Sequence, residues 1–208
     1  MSDVIAKWLY GTAGINVSSS DLSSIRSLYL DHQCLLTIPE SINCLTSLRK
    51  LCVYGNQLTC LPESITKLTG LVELDLGLNQ LTVLPKRLGC LTNLEYLNLS
   101  CNQLTVIPES ITNLKQLRVL DLSVNQLTVL PDGLNDLPCL ESLNLSFCQL
   151  NNPSSIKQLS FDYDALNLAY KSIDELVDFD DKEKFLEYLM LYGDSLDCYK
   201  PAPEHDYY

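Results

Sequence analysis

Residues 71–93 read LVELDLGLNQLTVLPKRLGCLTN, and the chain repeats this 23-residue unit almost unchanged in 94–116 and 117–139. The same frame extends upstream to residue 25 and downstream into a half unit that begins at Leu140. Five full repeats and a partial sixth therefore occupy nearly two thirds of the 208 residues. A fixed period of roughly 20–50 residues is the signature of a repeat architecture, so the repeat decides the fold.

Within each unit the apolar residues stand at positions 1, 4, 6, 11, 14, 18 and 21. The alternation at positions 4 and 6 is the period of a short β-strand, whereas the later spacing is typical of a helical or 3₁₀ turn. Each unit is therefore predicted to be a strand followed by a return segment. A proline at position 15 marks the corner, because proline restricts the preceding residue to an extended conformation and starts a helical turn well.

Position 9 is polar inside this apolar frame. A buried amide is tolerated only where its donors and its acceptor are bonded. We therefore interpret the asparagines at this position as a structural ladder that bonds to backbone groups of its own and neighbouring turns. The ladder residues are Asn56, Asn79, Asn102 and Asn125.

The pattern L-x-x-L-x-L-x-x-N-x-L followed by L/I-P-x-x-I/L-x-x-L resembles the leucine-rich repeat family over about residues 25–150. The Leu-Pro form of 23 residues is similar to bacterial repeat effectors and to intracellular Ras-group scaffolds. The resemblance implies an α/β solenoid, a horseshoe with a parallel β-sheet on the concave face and short helical or 3₁₀ segments on the convex side. It also implies helical caps at both ends and a protein-binding surface inside the curve.

The two ends of the chain depart from the repeat frame. A solenoid exposes its core at each end and must cover it. We expect an N-terminal cap at 1–24, leucine-rich repeats at 25–152, and an acidic helical C-terminal cap and tail at 153–208. The last segment holds 13 acidic residues against 5 lysines. Trp8, the only tryptophan, is interpreted as a plug for the core, with a surface anchor for a ligand as the alternative.

The formal net charge of −12 makes binding to nucleic acid unfavourable, because phosphate contacts need clustered lysine and arginine. A protein partner with a basic patch is easier to accommodate. Residues 1–20 lack the basic region and apolar core of a secretory signal, and no stretch is apolar enough to span a membrane. Nine cysteines without paired spacing indicate reduced thiols in an intracellular, cytoplasmic protein, which we expect to be a monomer.

Alternation along each strand directs positions 4 and 6 inward and leaves positions 3, 5 and 7 facing a partner. Asp75, Asp121 and Glu73 would form an acidic centre that, with flanking tyrosines, clamps a lysine or arginine of the partner. The alternative is an ordinary solvated face. At position 8, Phe147 ends a row that is either an exposed apolar ridge or a strip beneath the return loops. The predicted partner-binding residues are Tyr29, Asp31, Lys50, Tyr54, Glu73, Asp75, Tyr96, Asn98, Asp121 and Phe147.

Catalysis has little support in the residues. His32 stands three positions along the strands from Cys52, or about 10 Å, whereas a nucleophile and its base meet within about 3 Å. No C-x-x-C pair indicates a closed zinc site, and no glycine-rich loop indicates a phosphate site. We therefore expect no enzyme activity, no cofactor and no metal.

Two functional interpretations remain open. The first is a non-enzymatic module that binds a partner protein on the concave face. A narrower version of it is a translocated bacterial effector that acts on a host protein. Such an effector would be secreted into the host cell without a Sec signal. The second is an intracellular scaffold or regulator of a small GTPase-type signalling protein in its own cell. Both follow from the resemblance, and neither identifies the partner.

Overall fold

The computed structural model describes residues 2–18 and 20–151; the predicted C-terminal cap and tail at 153–208, with its helices, lies outside them. Within the described part, every repeat contributes one three-residue strand at its positions 3 to 5. The strands are β1 Ser27–Tyr29, β2 Lys50–Cys52, β3 Glu73–Asp75, β4 Tyr96–Asn98, β5 Val119–Asp121 and β6 Ser142–Asn144.

The six strands form one unclosed parallel sheet in the order β1-β2-β3-β4-β5-β6. Equal repeat positions pair across every strand boundary, as where Leu74 aligns with Leu51 on one side and Leu97 on the other. Each position of the repeat is therefore one row of side chains across the sheet. This arrangement confirms the predicted α/β solenoid.

The apolar positions form the core, as predicted. In the unit 71–93 the side chains at all seven positions are buried, and none exceeds the 7% exposed fraction of Leu84. Burial of each leucine stabilises the fold by about 1.5–3 kcal/mol relative to an exposed side chain. Because each turn buries its leucines against the next, the core runs continuously from the N-terminal helix to β6.

The return segments contain 3₁₀ turns instead of α-helices, because three to five residues hold little more than one helical turn. Four of the five turns begin directly after the proline. The proline is extended in three of them, as at Pro62 with φ −67° and ψ 142°. The third turn is shorter and begins after Arg87. The five turns are Glu40–Cys44, Glu63–Lys67, Leu88–Cys90, Glu109–Asn113 and Asp132–Asp136.

An α-helix, α1 (Ser2–Ala13), precedes the repeats and contacts the turn Glu40–Cys44. Its Ile5 and Leu9 are fully buried, and Trp8 packs half-buried against the same core. The helix runs through Gly11 and stops where Gly14 takes φ 65°. The Gly14 N–H donates to the Tyr10 carbonyl at 3.1 Å, which is the hydrogen bond of an αL cap. None of the helices in the described ranges is long and apolar enough to cross a membrane.

The asparagine side chains at position 9 make the same bonds in four successive turns. In Asn102, Oδ1 accepts from the Leu81 N–H at 2.9 Å, and Nδ2 donates to the carbonyls of Leu76, Leu99 and Ser100 at 3.0–3.1 Å. Asn56, Asn79 and Asn125 repeat this set with their own neighbours. In the last turn Cys148 occupies position 9, and its Sγ donates to the Leu122 carbonyl oxygen at 3.2 Å.

Position 8, immediately before the asparagine, has a left-handed backbone in every repeat. The side chains differ, but each φ lies between 51° and 65°, which is unfavourable for any residue except glycine. The apolar side chains of this row, Leu78, Cys101, Val124 and Phe147, are half-buried. This burial lies between the exposed ridge and the covered strip that were the two alternatives. The left-handed residues are His32, Gly55, Leu78, Cys101, Val124 and Phe147.

Candidate interaction face

The concave face divides into an open N-terminal part and a closed central part. On β1 the ring of Tyr29 is 62% exposed, whereas Asn98 and Asp121, at the same repeat position on β4 and β5, are only 1% and 3% exposed. Parallel strands lie only about 4.8 Å apart, so a side chain with neighbours on both sides is easily covered. Asn98 and Asp121 therefore expose almost no surface in this structure, and their contact with a partner stays a prediction.

The position 5 side chains bond to their own strand exits and to each other. Oδ1 of Asp75 accepts from the Gly77 N–H at 3.0 Å and from Nδ2 of Asn98 at 2.9 Å. Oδ1 of Asn98 in turn accepts from the backbone N–H and the hydroxyl of Ser100 at 2.9 and 2.7 Å. These bonds occupy the carboxylate and amide groups that the sequence assigned to a partner.

The same arrangement recurs two repeats later. Oδ1 of Asp121 accepts from the Ser123 N–H at 2.8 Å and from the Ser123 hydroxyl at 2.6 Å. Its Oδ2 accepts from Nδ2 of Asn144 at 3.2 Å, and Asn144 accepts from the Ser146 N–H at 3.1 Å. Aspartate and asparagine thus alternate along this row, and each amide donates to the carboxylate on the preceding strand.

The carboxylate of Asp75 lies in a site that disfavours its charge. Burial raises the pKa of Asp75 to about 6, and the negative charge of Asp31 raises it as well, while the Gly77 N–H and Asn98 amide act in the opposite direction. Burial also raises the pKa of Asp121. Two members of the predicted acidic centre, Asp75 and Asp121, are therefore desolvated carboxyl groups with hydrogen-bond partners. The third, Glu73, has a side chain that is 42% exposed.

We expect Asp75→Asn to stabilise the protein at pH 7.5. Because the folded pKa of about 6 exceeds the usual 3.8, the folded state binds the proton more tightly, so stability falls as pH rises between these values. The shift corresponds to about 1–3 kcal/mol. Denaturant unfolding at pH 5 and 7.5 should show a smaller loss of stability on raising the pH for the variant than for wild type. A variant less stable than wild type at pH 7.5 would contradict this electrostatic account.

Two aromatic rings on the N-terminal repeats are seated on glycines of the next repeat. A Cβ added at Gly77 would lie 2.9 Å from the ring of Tyr54, and a Cβ added at Gly55 would overlap the ring of His32. The two rings meet edge to face, with centroids 5.4 Å apart and planes at 87°. His32 was not predicted as a contact residue. The signal in the sequence was glycine at 55 and 77, because the other repeats carry a side chain at these two positions.

The charged residues of this region are also partly paired. Nζ of Lys50 lies 2.7 Å from Oε1 of Glu73, with both side chains more than 40% exposed. An exposed ion pair of this kind contributes about 0–1 kcal/mol to stability, so either group is available to a partner at little cost. Oδ1 of Asp31 accepts from the Tyr54 N–H at 3.1 Å, which holds this carboxylate beside the tyrosine.

The remaining two predicted residues lie apart from this group. Tyr96 is half-buried, and its hydroxyl group is fully buried with no hydrogen-bond partner among the described residues. Burial, and after it the charge of Asp75, raises the pKa of Tyr96. Phe147 is half-buried on the turn after β6, the strand at the other end of the sheet from Tyr29. The structure thus places Tyr29, Lys50 and Glu73 on the first three strands, with Asp31 and Tyr54 just after β1 and β2.

A family model described as leucine rich repeat matches residues 60–104 and 92–150. Over residues 60–150 the chain matches the leucine-rich repeat family. The leucine-rich repeat fold supports protein–protein interaction in general. A comparison with curated proteins gave no significant match.

Solved leucine-rich repeat structures resemble the chain over its repeats. A leucine-rich repeat protein of Leptospira interrogans is 38% identical, with a TM-score of 0.60 over 62% of this chain and 33% of that one. The leucine-rich repeat domain of the type III effector XopL is 31% identical, with a TM-score of 0.58 over 62% and 47%. The ectodomain of the receptor kinase SOBIR1 from Arabidopsis thaliana is 27% identical, with a TM-score of 0.54 over 59% and 70%. The chain therefore spans less than half the length of the first two.

Proposed function

We propose that this leucine-rich repeat protein is a non-enzymatic module that binds a partner protein on the first three strands of its concave face. The observation that carries the proposal is the contrast in accessibility along the sheet. Tyr29 is 62% exposed, whereas the position 5 groups of β4 and β5 are buried and bonded within the protein. Exposed tyrosines beside charged groups are typical of binding hot spots, since they offer apolar area and a polar tip.

The electrostatics favour a cationic group in the partner. The Asp31 charge raises the pKa of Asp75, so the two carboxylates repel each other, and Lys50 is already bonded to Glu73. A lysine or arginine of the partner placed between Asp31 and Asp75 would relieve this repulsion. This supports the expectation of a basic patch on the partner.

The likeness to the XopL repeat domain favours the narrower proposal of a translocated bacterial effector that acts on a host protein. XopL is described as a type III effector, and the Leptospira structure is a second bacterial repeat protein of similar form. A reporter enzyme fused to the full chain would test this through the appearance of its product inside host cells. Absence of the product, in infections where a known effector delivers the same reporter, would contradict the effector role.

The binding surface itself is tested by capture from host-cell lysate with three versions of the full chain. We expect a partner retained by wild type to be lost from the double variant Tyr29→Ala and Tyr54→Ala, because truncating two hot-spot tyrosines weakens binding by more than about tenfold. The matched control is Val106→Ser and Val129→Ser, which alters side chains that are 57% and 63% exposed outside the strands. Equal capture by the tyrosine variant and wild type would contradict the proposed surface.

A further inference from the structure

The first strand of the sheet has an open edge. In the neighbouring strands, position 3 and position 5 backbone groups bond to the preceding strand: the Lys50 N–H donates to the Arg26 carbonyl at 3.0 Å, and the Cys52 carbonyl accepts from the Leu30 N–H at 2.8 Å. The equivalent groups of β1 belong to Ser27 and Tyr29. Since no strand of the described residues lies on the outer side of β1, these groups point away from the sheet.

No described residue pairs with this edge. Two backbone bonds of the chain before β1 run within that segment: the Ile15 N–H donates to the Leu9 carbonyl and the Asp21 N–H to the Ser18 carbonyl. The described residues before β1 form no strand. Ser27 and Tyr29 are both exposed, whereas Leu28 between them is 3% exposed. A strand with its alternate backbone groups unpaired and in water is a template for a further strand.

We propose that the outer edge of β1 binds an extended segment of a protein partner, which adds to the sheet as a seventh strand. This deepens the proposed function, on which it rests for the class of partner, and it adds a backbone-directed site beside the exposed ring of Tyr29. Main-chain bonds from Ser27 and Tyr29 supply the attraction, and the alternating side chains of the segment supply selectivity. Proline is excluded from the segment wherever its N–H faces β1.

The position of the N-terminal helix favours an extended peptide over a second copy of this chain as the occupant of the β1 edge. α1 packs on the turn Glu40–Cys44 with Ile5 and Leu9 fully buried, so it already fills the convex side of the layer beyond the first repeat. A second copy paired through its own β1 would bring its core and helix into that same layer. A single extended strand needs only the concave part of the layer, about 4.8 Å thick.

Amide hydrogen exchange of the isolated full chain, resolved by residue, is the first test. We expect the amides of Ser27 and Tyr29 to exchange near the rate of an unstructured chain, and those of Lys50 and Cys52 at least about a hundredfold more slowly. Equal protection of the two sets would mean that the chain already covers this edge, and the proposal would be overturned.

The second test uses a display library of random linear peptides of about twelve residues, a length that exceeds one strand. Peptides selected on the full chain should keep their affinity for Ser27→Ala and lose at least tenfold for Ser27→Pro, which removes an outward N–H but no bond to β2. The same peptides should slow exchange at Ser27 and Tyr29 in wild type, a readout that does not depend on folding of the proline variant. A library that yields no peptide with this protection would overturn the proposal.

The two proposals fail in different ways. If the concave-face proposal is wrong, the double variant Tyr29→Ala and Tyr54→Ala will capture the partner as well as wild type does. If the edge proposal is wrong, no peptide will slow amide exchange at Ser27 and Tyr29. A second copy as occupant would appear as a concentration-dependent dimer of the full chain that Ser27→Pro abolishes, and this result would contradict a partner segment.

Discussion

Gly89→Ala is expected to destabilise the protein by about 3 kcal/mol, at the upper end of typical overpacking costs. Gly89 is buried in the third return turn, where a Cβ would overlap the backbone carbonyl oxygen of Ser110 in the next repeat. Backbone cannot rotate away as a side chain can, so the two repeats would have to separate. The Gly89 N–H also donates to the Ser110 hydroxyl at 3.2 Å, and that bond would be lost with the separation.

The matched control is Gly11→Ala, because the two glycines differ in their surroundings and receive the same methyl group. Gly11 lies inside α1, and, apart from its chain neighbours and the nearby helix backbone, no atom lies within 4 Å of the position that its Cβ would occupy. Alanine is favoured over glycine in a helix interior by about 1 kcal/mol, so this variant should be more stable than wild type. Denaturant midpoints of both variants measure the contrast, and a Gly89→Ala midpoint within error of wild type would refute the close approach of the repeats.

Asn102→Ala is expected to cost about 3 kcal/mol, a loss similar to that of the glycine variant. The substitution removes one acceptor and three donor contacts, leaving the Leu81 N–H and the carbonyls of Leu76 and Leu99 without the side chain that bonds them. Each buried backbone group deprived of its partner costs about 1–3 kcal/mol, but structural relaxation and water entry limit the sum.

Two further substitutions sharpen this result. Gln103→Ala changes the exposed neighbour and should leave stability within about 0.5 kcal/mol of wild type. Asn102→Cys should fall between Asn102→Ala and wild type, because Cys148 donates to a backbone carbonyl from the equivalent position in the last turn. If Asn102→Ala unfolds at the same denaturant concentration as Gln103→Ala, the ladder does not stabilise the solenoid.

The fold was predictable because the same pattern of apolar residues recurs in five full repeats and a partial sixth. Leucines at fixed positions must bury against the next turn, and the in-register strands follow from their spacing. The left-handed residue at position 8 was not predictable, since its occupants share no chemical character and only Gly55 signals a positive φ. Hydrophobic periodicity reports which side chains are buried and carries no information on backbone handedness.

The interaction face was predictable in its direction and less so in its accessibility. Alternation identifies which side chains emerge on the concave side, and Tyr29 is exposed there as predicted from its position. It cannot tell that Asn98 would turn toward Asp75 and Ser100, since that depends on the short distance between neighbouring strands. Three exposed valines, at 54–63% accessibility, were also missed because position 13 is neither core nor strand: Val83, Val106 and Val129.

The central claim is that the partner lies against the first three strands of the concave face. Site-specific photo-crosslinking measures this most directly, with a photoreactive phenylalanine analogue placed in the full chain at Tyr29 or, as the comparison, at Val129. Both side chains are more than 60% exposed, so accessibility to a crosslinked protein is matched. We predict a crosslinked partner from position 29 and none from position 129. Crosslinking from position 129 alone would contradict the account and move the binding surface away from the concave face.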